Sequence, residues 1–161
     1  MVLLLVLAVG CSADDGTEPS SGTTGPSEEP RELRVEGISS GAPGQGPARP
    51  RVVLAPSAAA LSQEIGAAVP DSGGGTYLAA YWGEKPTGGY SLAVRSARLE
   101  GERVSVQLSL KEPPPDAMVT QALTYPYAVA LVRGLDLLEK GFSFVDRAGR
   151  ELDWPVRRVG S

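Results

Sequence analysis

The sequence predicts one α+β domain, mainly antiparallel β, with about six to eight short strands in hairpins and one helix near residues 57–69. Three observations carry this. Across Arg103–Leu110, Val104, Val106, Leu108 and Leu110 alternate with Arg103, Ser105, Gln107 and Ser109, the period of two of a strand with one buried face. Leu61, Ile65 and Val69 recur every four residues and form a single apolar stripe at helical spacing. Strand-like segments otherwise follow one another directly, which argues against βαβ units and a parallel sheet.

The elements follow in chain order. Val2 to Val9 are unbroken apolar residues and lead into Gly10, Cys11 and Ser12. Eight residues span only about 12 Å as a helix, against ~30 Å of hydrocarbon, so the run is too short to cross a bilayer and has the length of a signal-peptide core. Leu7-Ala8-Val9-Gly10-Cys11 resembles a bacterial lipobox, with Gly10 as the small residue before the cut and Ala8 in place of the usual leucine. The expectation is a signal peptide over 1–10 and lipidation at Cys11, with the anchor in the membrane of a bacterial cell envelope, the domain facing away from the cytoplasm, and the outer membrane if the cell is diderm. No Lys or Arg precedes the apolar run, which points to a translation start upstream of Met1. Residues 12–30 contain thirteen Ser, Thr, Gly or Pro and five acidic residues, with no basic and no large apolar residue. Such a segment cannot bury enough surface to offset its chain entropy, so 11–30 reads as a flexible tether and 31–161 as the folded domain.

Within the domain, Leu33–Glu36 and Arg51–Leu54 are short strand candidates. Ser57 suits a helix N-cap and Pro70 a helix stop. Thr76–Trp82, Tyr90–Leu99 and Tyr127–Arg133 are apolar runs of strand length, and Gly101 supplies a hairpin turn between Tyr90–Leu99 and Arg103–Leu110. Residues 135–140 suggest a turn or two of a second helix. Phe142–Asp146 and Arg150–Trp154 flank Arg147-Ala148-Gly149 and read as a terminal hairpin.

Composition removes several chemistries. The chain of 161 residues contains no histidine and one cysteine, Cys11. That excludes Ser-His-Asp and Cys-His catalysis, histidine-ligated zinc, thiolate clusters and an intrachain disulfide. No metal or cofactor is expected. Gly73-Gly74-Gly75 lacks the downstream Gly-Lys of a phosphate loop and reads as a flexible connection. Glu84, Glu100, Glu102 and Asp116 read as solvated turn residues and not as a catalytic carboxylate pair. The tether carries a net −5, whereas 31–161 holds 15 basic and 14 acidic residues, so the domain has no charge bias toward nucleic acid. Arg147, Arg150, Arg157 and Arg158 are interleaved with Asp146, Glu151 and Asp153, a mixed surface. A non-enzymatic binding or structural role is the expectation.

Gly83-Glu84-Lys85-Pro86-Thr87-Gly88-Gly89-Tyr90 resembles the Gly-x-Lys/Arg-Pro-Thr-Gly-Gly-Tyr signature of the PrcB protease-complex-subunit family. Gly37-Ile38-Ser39-Ser40-Gly41 is similar to that family's early turn, and Glu112 to Pro115 with Gln121, Leu123, Thr124 and Pro126 resembles its later Pro-rich turn and Gln-x-Leu-Thr-x-Pro-Tyr pattern. The tryptophan usual in the family's helix is missing. The resemblance spans roughly residues 33–133. It implies a surface lipoprotein that binds and stabilises a partner, a secreted serine protease complex. In the octapeptide, Pro86 fixes φ and Gly83, Gly88 and Gly89 serve the turn. Lys85, Thr87 and Tyr90, with Trp82 beside them, present a cation, a hydroxyl and aromatics to a partner. The triple proline at 113–115 reads as a rigid connector. A second reading, from a different class, is a small-ligand lipoprotein that captures a sugar, peptide or lipid in a pocket lined by Tyr77, Tyr81, Trp82 or Tyr90.

Overall fold

The computed structural model describes residues 29–134 and 137–160. The apolar run, Cys11 and the tether up to residue 28 lie outside the described residues.

Among the described residues, nine strands form two sheets. The first, of four strands, contains β1 (Arg31–Leu33), β5 (Ser91–Glu100), β6 (Arg103–Lys111) and β8 (Gly141–Val145) in that order. The second, of five, runs β2 (Val35–Gly41), β7 (Tyr127–Val132), β4 (Thr76–Tyr81), β3 (Arg51–Ala55) and β9 (Val156–Arg158). The sheets stack on a shared core of Val52, Leu54, Leu78, Ala80, Leu92, Val104, Val106, Leu108, Ala130 and Phe144. Helix α1 (Ala58–Ile65) covers the outer face of the five-stranded sheet, where Leu61 packs with Val53, Tyr77, Ala79, Val129 and Leu131. Strands β3, β4 and β7 are therefore covered on both faces, which is why their sequences are nearly continuous apolar runs. Strand β6 keeps the alternation expected of a strand with one buried face.

Two segments switch sheets. Leu33 pairs with Ala97 in one sheet, and Val35, two residues on, pairs with Val132 in the other. At the opposite side, Glu151 bridges to Val145 of the four-stranded sheet and Val156 then pairs with Val52 of the five-stranded sheet. The sandwich is thus stitched along both sides by continuous chain, a known way of turning corners between stacked sheets.

The α+β expectation holds, with differences that have physical reasons. The strands are mixed, since β3–β9 and β6–β8 are parallel. The hairpin at Gly101 forms as expected, with Glu100 opposite Arg103 and Gly101 at φ 57°. The terminal hairpin contracts to the single bridge Val145–Glu151 around Gly149 at φ 79°. Beyond Glu151 the chain leaves for the other sheet and forms β9 within the charged Val156-Arg157-Arg158 run. Gly37–Gly41 lies within a strand, interrupted by a bulge between Gly37 and Ser39, and is not a turn. Residues 137–139 form one 3₁₀ turn, and residues 135 and 136 lie outside the described residues.

Helix α1 begins as read, with the Ser57 hydroxyl accepting from the Ala60 N–H at 3.2 Å. It ends four residues before Val69. Gly66 adopts φ 68° and its N–H donates to Ser62 O at 2.9 Å, closing the helix before Pro70 is reached. Val69 still packs against the outer core, because its N–H donates to the Ser62 hydroxyl at 2.9 Å and holds the tail under the helix.

Candidate functional site: the loop at 83–90 and its clasp

Strand β4 ends at Tyr81, and the next residues leave the sheet toward β5. Trp82 follows the alternation onto the face opposite Tyr81 and packs against the inter-sheet core. Its N–H donates to Pro126 O at 2.9 Å. The loop then runs beside residues 113–126. Lys85 and Thr124 exchange two backbone hydrogen bonds, at 2.8 and 3.0 Å. The Thr124 hydroxyl donates to Thr87 O at 2.7 Å, and the Gly88 N–H donates to Thr120 O at 2.9 Å. Tyr125 donates its hydroxyl proton to Glu84 at 2.6 Å. The Pro-rich segment therefore clasps the octapeptide by backbone and side chain together, and Pro113 also packs close beneath Gly89.

Two of the loop's glycines are required by geometry. Gly83 takes φ 83°, and a Cβ there would stand 2.9 Å from Ala48 O. Gly89 takes φ 86°, and a Cβ there would stand 2.8 Å from Pro113 Cβ and 2.9 Å from Val119 Cγ1. An L side chain at either position meets both backbone strain and a clash. Pro86 is exposed and Gly88 stands half-buried beside Thr120.

Residues 76–133 match a family model described as PrcB C-terminal. This stretch is similar to the PrcB C-terminal family. The match takes in β4, the octapeptide loop, β5, β6, the clasp and β7, so the matched segment holds both halves of the clasp. It begins after the Gly37–Gly41 segment and after α1, two of the places where the motifs suggested likeness. No curated protein and no solved structure matches the chain significantly.

The loop brings three of the four expected contact residues together. Trp82 and Tyr90 meet edge to face with ring centroids 5.5 Å apart. The Lys85 Nζ lies 4.2 Å from the Trp82 ring centre and 5.6 Å from that of Tyr90. Burial among these rings lowers the Lys85 pKa, with Glu112 acting in the opposite direction. All three side chains stay half-exposed. Thr87 turns its hydroxyl to Gly88 O at 3.2 Å and stands apart from the rings.

The tyrosines of the alternative pocket are dispersed. Tyr77 is buried on the helix side, its hydroxyl accepting from the Ser72 N–H at 2.9 Å and donating to Asp71 at 3.0 Å. Tyr81 also lies on the helix side, 6.3 Å from Tyr127. Trp82 and Tyr90 are on the other side, so the four do not line one cavity. Glu100 and Glu102 stand at the far end of β5 from Glu84, and Glu102 pairs with Lys140 at 2.9 Å. In the basic cluster, Arg150 pairs with Asp146, Arg157 with Glu64 at 3.1 Å, and Arg158 donates to the carbonyls of Leu138 and Lys140.

Two neighbours of the loop carry no contact motif in the sequence. Met118 is fully exposed and Leu123 is half-exposed, the two large apolar side chains that stand out in the solvent among the described residues. Both lie in the clasp. The available signal was an apolar Met and Leu inside an otherwise polar, Pro-rich connection.

Proposed function

We propose that this chain is a non-catalytic, lipid-anchored subunit of the cell envelope. In this reading its PrcB domain binds and stabilises a partner, a secreted serine protease complex, through the loop at 83–90 and the clasp at 113–126. The membrane contact is Cys11 at the end of an acidic tether, and no nucleic acid or cofactor takes part. One observation carries the reading. The family-matched segment builds a half-exposed Trp82–Lys85–Tyr90 cluster and flanks it with the exposed apolar side chains of Met118 and Leu123. Aromatics and methionine are enriched where proteins meet, and a clasped loop loses little entropy on docking.

The test is affinity capture of the anchored protein from its own cells with mass spectrometry, alongside Cys11→Ala, Lys85→Ala and Met118→Asp variants. The expected result is a dominant secreted protease, reduced by Lys85→Ala and by Met118→Asp, with Cys11→Ala shifting the protein from membrane to soluble fraction. Recovery unchanged by both loop variants removes this face from the interaction.

A further inference from the structure

On the helix side of the five-stranded sheet lies a groove of about 620 Å³. It runs between the end of α1 with its tail and the ends of β3, β4 and β7, and is lined by Arg51, Glu64, Ile65, Val69, Tyr81 and Tyr127 among others. The volume falls in the range of small-molecule sites.

Its charge is incompletely matched. The Arg51 guanidinium lies over the Tyr81 ring, 5.4 Å from the centre, and its Nε is buried without a hydrogen-bond partner. Among the described residues Arg51 makes no ion pair. Glu64, the acidic side chain of the groove, is already held by Arg157 at 3.1 Å. The groove thus keeps one unanswered positive charge beside a neutralised carboxylate. Burial also pushes the Tyr81 hydroxyl up from its ordinary pKa, so it stays protonated at neutral pH. Ile65, Val69 and the two tyrosine rings supply an apolar wall.

We propose that this groove binds a small organic monocarboxylate with an apolar body, the carboxylate against Arg51 and the body against Ile65, Val69 and Tyr127. A guanidinium fork matches a carboxylate in two parallel hydrogen bonds. One unpaired cation calls for one negative charge, so a single carboxylate balances it, whereas a doubly charged phosphate would leave one charge uncompensated. The carboxylate comes from a free acid or from the C-terminus of a peptide. Tyr81 and Trp82 are consecutive but face opposite sides of the sheet, so this site is separate from the Trp82–Lys85–Tyr90 cluster.

Two acids test this by titration calorimetry on the purified chain, octanoate for a free acid and N-acetyl-phenylalanine for a peptide terminus, each against its amide. At least one acid is expected to bind saturably, its amide about tenfold or more weaker, with Arg51→Gln giving the same loss and Arg98→Gln none. The tighter acid assigns the source. Lys85→Ala leaves the binding unchanged, so the groove and the partner-binding loop fail separately. Equal binding of acid and amide, or no saturation by either acid up to about 10 mM, overturns the proposal. If Arg51→Gln does not melt cooperatively, the acid–amide comparison on the unaltered chain decides alone.

Discussion

Lys85 holds its Nζ 4.2 Å from the centre of the Trp82 ring, with the Tyr90 ring 5.6 Å away on its other flank. The ammonium is partly desolvated beside π faces instead of being paired with a carboxylate. Each ring gains from the cation, which lies near both. Lys85→Ala is expected to lower stability by about 1 kcal/mol, the scale of a partly desolvated cation–π contact. Lys85→Arg keeps most of it, because a guanidinium also stacks on an indole. Urea unfolding followed by tryptophan fluorescence reads both changes. An alanine variant as stable as the parent would show the rings to be held by the core alone.

Gly89 separates two penalties that glycine avoids. Its φ of 86° strains any L residue, and Pro113 and Val119 fill the space a Cβ would need. Gly101 has φ 57° with nothing within 4 Å of such a Cβ. Gly101→Ala should therefore cost about 1 kcal/mol, the conformational part alone. Gly89→Ala should cost roughly 2–4 kcal/mol, strain plus overpacking. Equal costs in thermal unfolding would mean that the Pro113 contact relaxes freely.

The split between what the residues announced and what they hid follows from the range of the interactions. β5 and β6 are marked by local alternation, β4 and β7 by apolar runs of strand length, and the Gly101 turn by local turn chemistry, and all form close to where the pattern puts them. β9 is set by a parallel neighbour, β3, about a hundred residues earlier, and its exposed Arg157 and Arg158 are held at the sheet edge by Glu64 and the Leu138 carbonyl, partners that no local pattern shows. The helix end turned on Gly66, which stops α1 although Val69 continues the apolar period. In the candidate site the octapeptide was visible as a motif, and Trp82, Lys85 and Tyr90 do come together. Thr87 does not join them, and the clasp that gives the loop its shape depends on pairing between distant segments, which no local pattern encodes.

Thr124 is the tie between the two halves of the clasp. It is buried, and its hydroxyl donates to Thr87 O at 2.7 Å. Thr124→Val keeps the shape and removes the donor, leaving a carbonyl without its partner. The expected cost is about 1–2 kcal/mol. Thr124→Ser should recover most of it. Hydrogen exchange at the Lys85 and Gly88 amides gives the local readout, because both donate into the clasp. Faster exchange there in Thr124→Val, with β6 amides unchanged, is expected. Uniform acceleration across the domain would make Thr124 a general core residue instead.

Asp146 organises the turn that precedes the second sheet switch. Its carboxylate accepts from the backbone N–H groups of Ala148 at 2.8 Å and Arg150 at 3.0 Å, and from the Arg150 Nε at 2.7 Å. Hydrogen bonding by the Arg150 backbone, then by its side chain and by Ala148, holds the Asp146 pKa below its ordinary value. The sign is fixed by linkage. A carboxyl with a depressed pKa in the folded state stabilises the fold above its unfolded pKa of about 3.9, and that stability is lost as the pH falls through the folded value. Asp71 and Glu36 are lowered as well and act in the same direction. The melting temperature should therefore be flat near neutrality and fall below about pH 4. Asp146→Asn removes the charge that attracts Arg150 and leaves one amide oxygen to accept from the turn. It should melt lower at neutral pH and lose less on acidification, so the two curves converge at low pH. Parallel curves would place the acid sensitivity in other carboxylates and leave Asp146 as a turn former whose charge is without consequence.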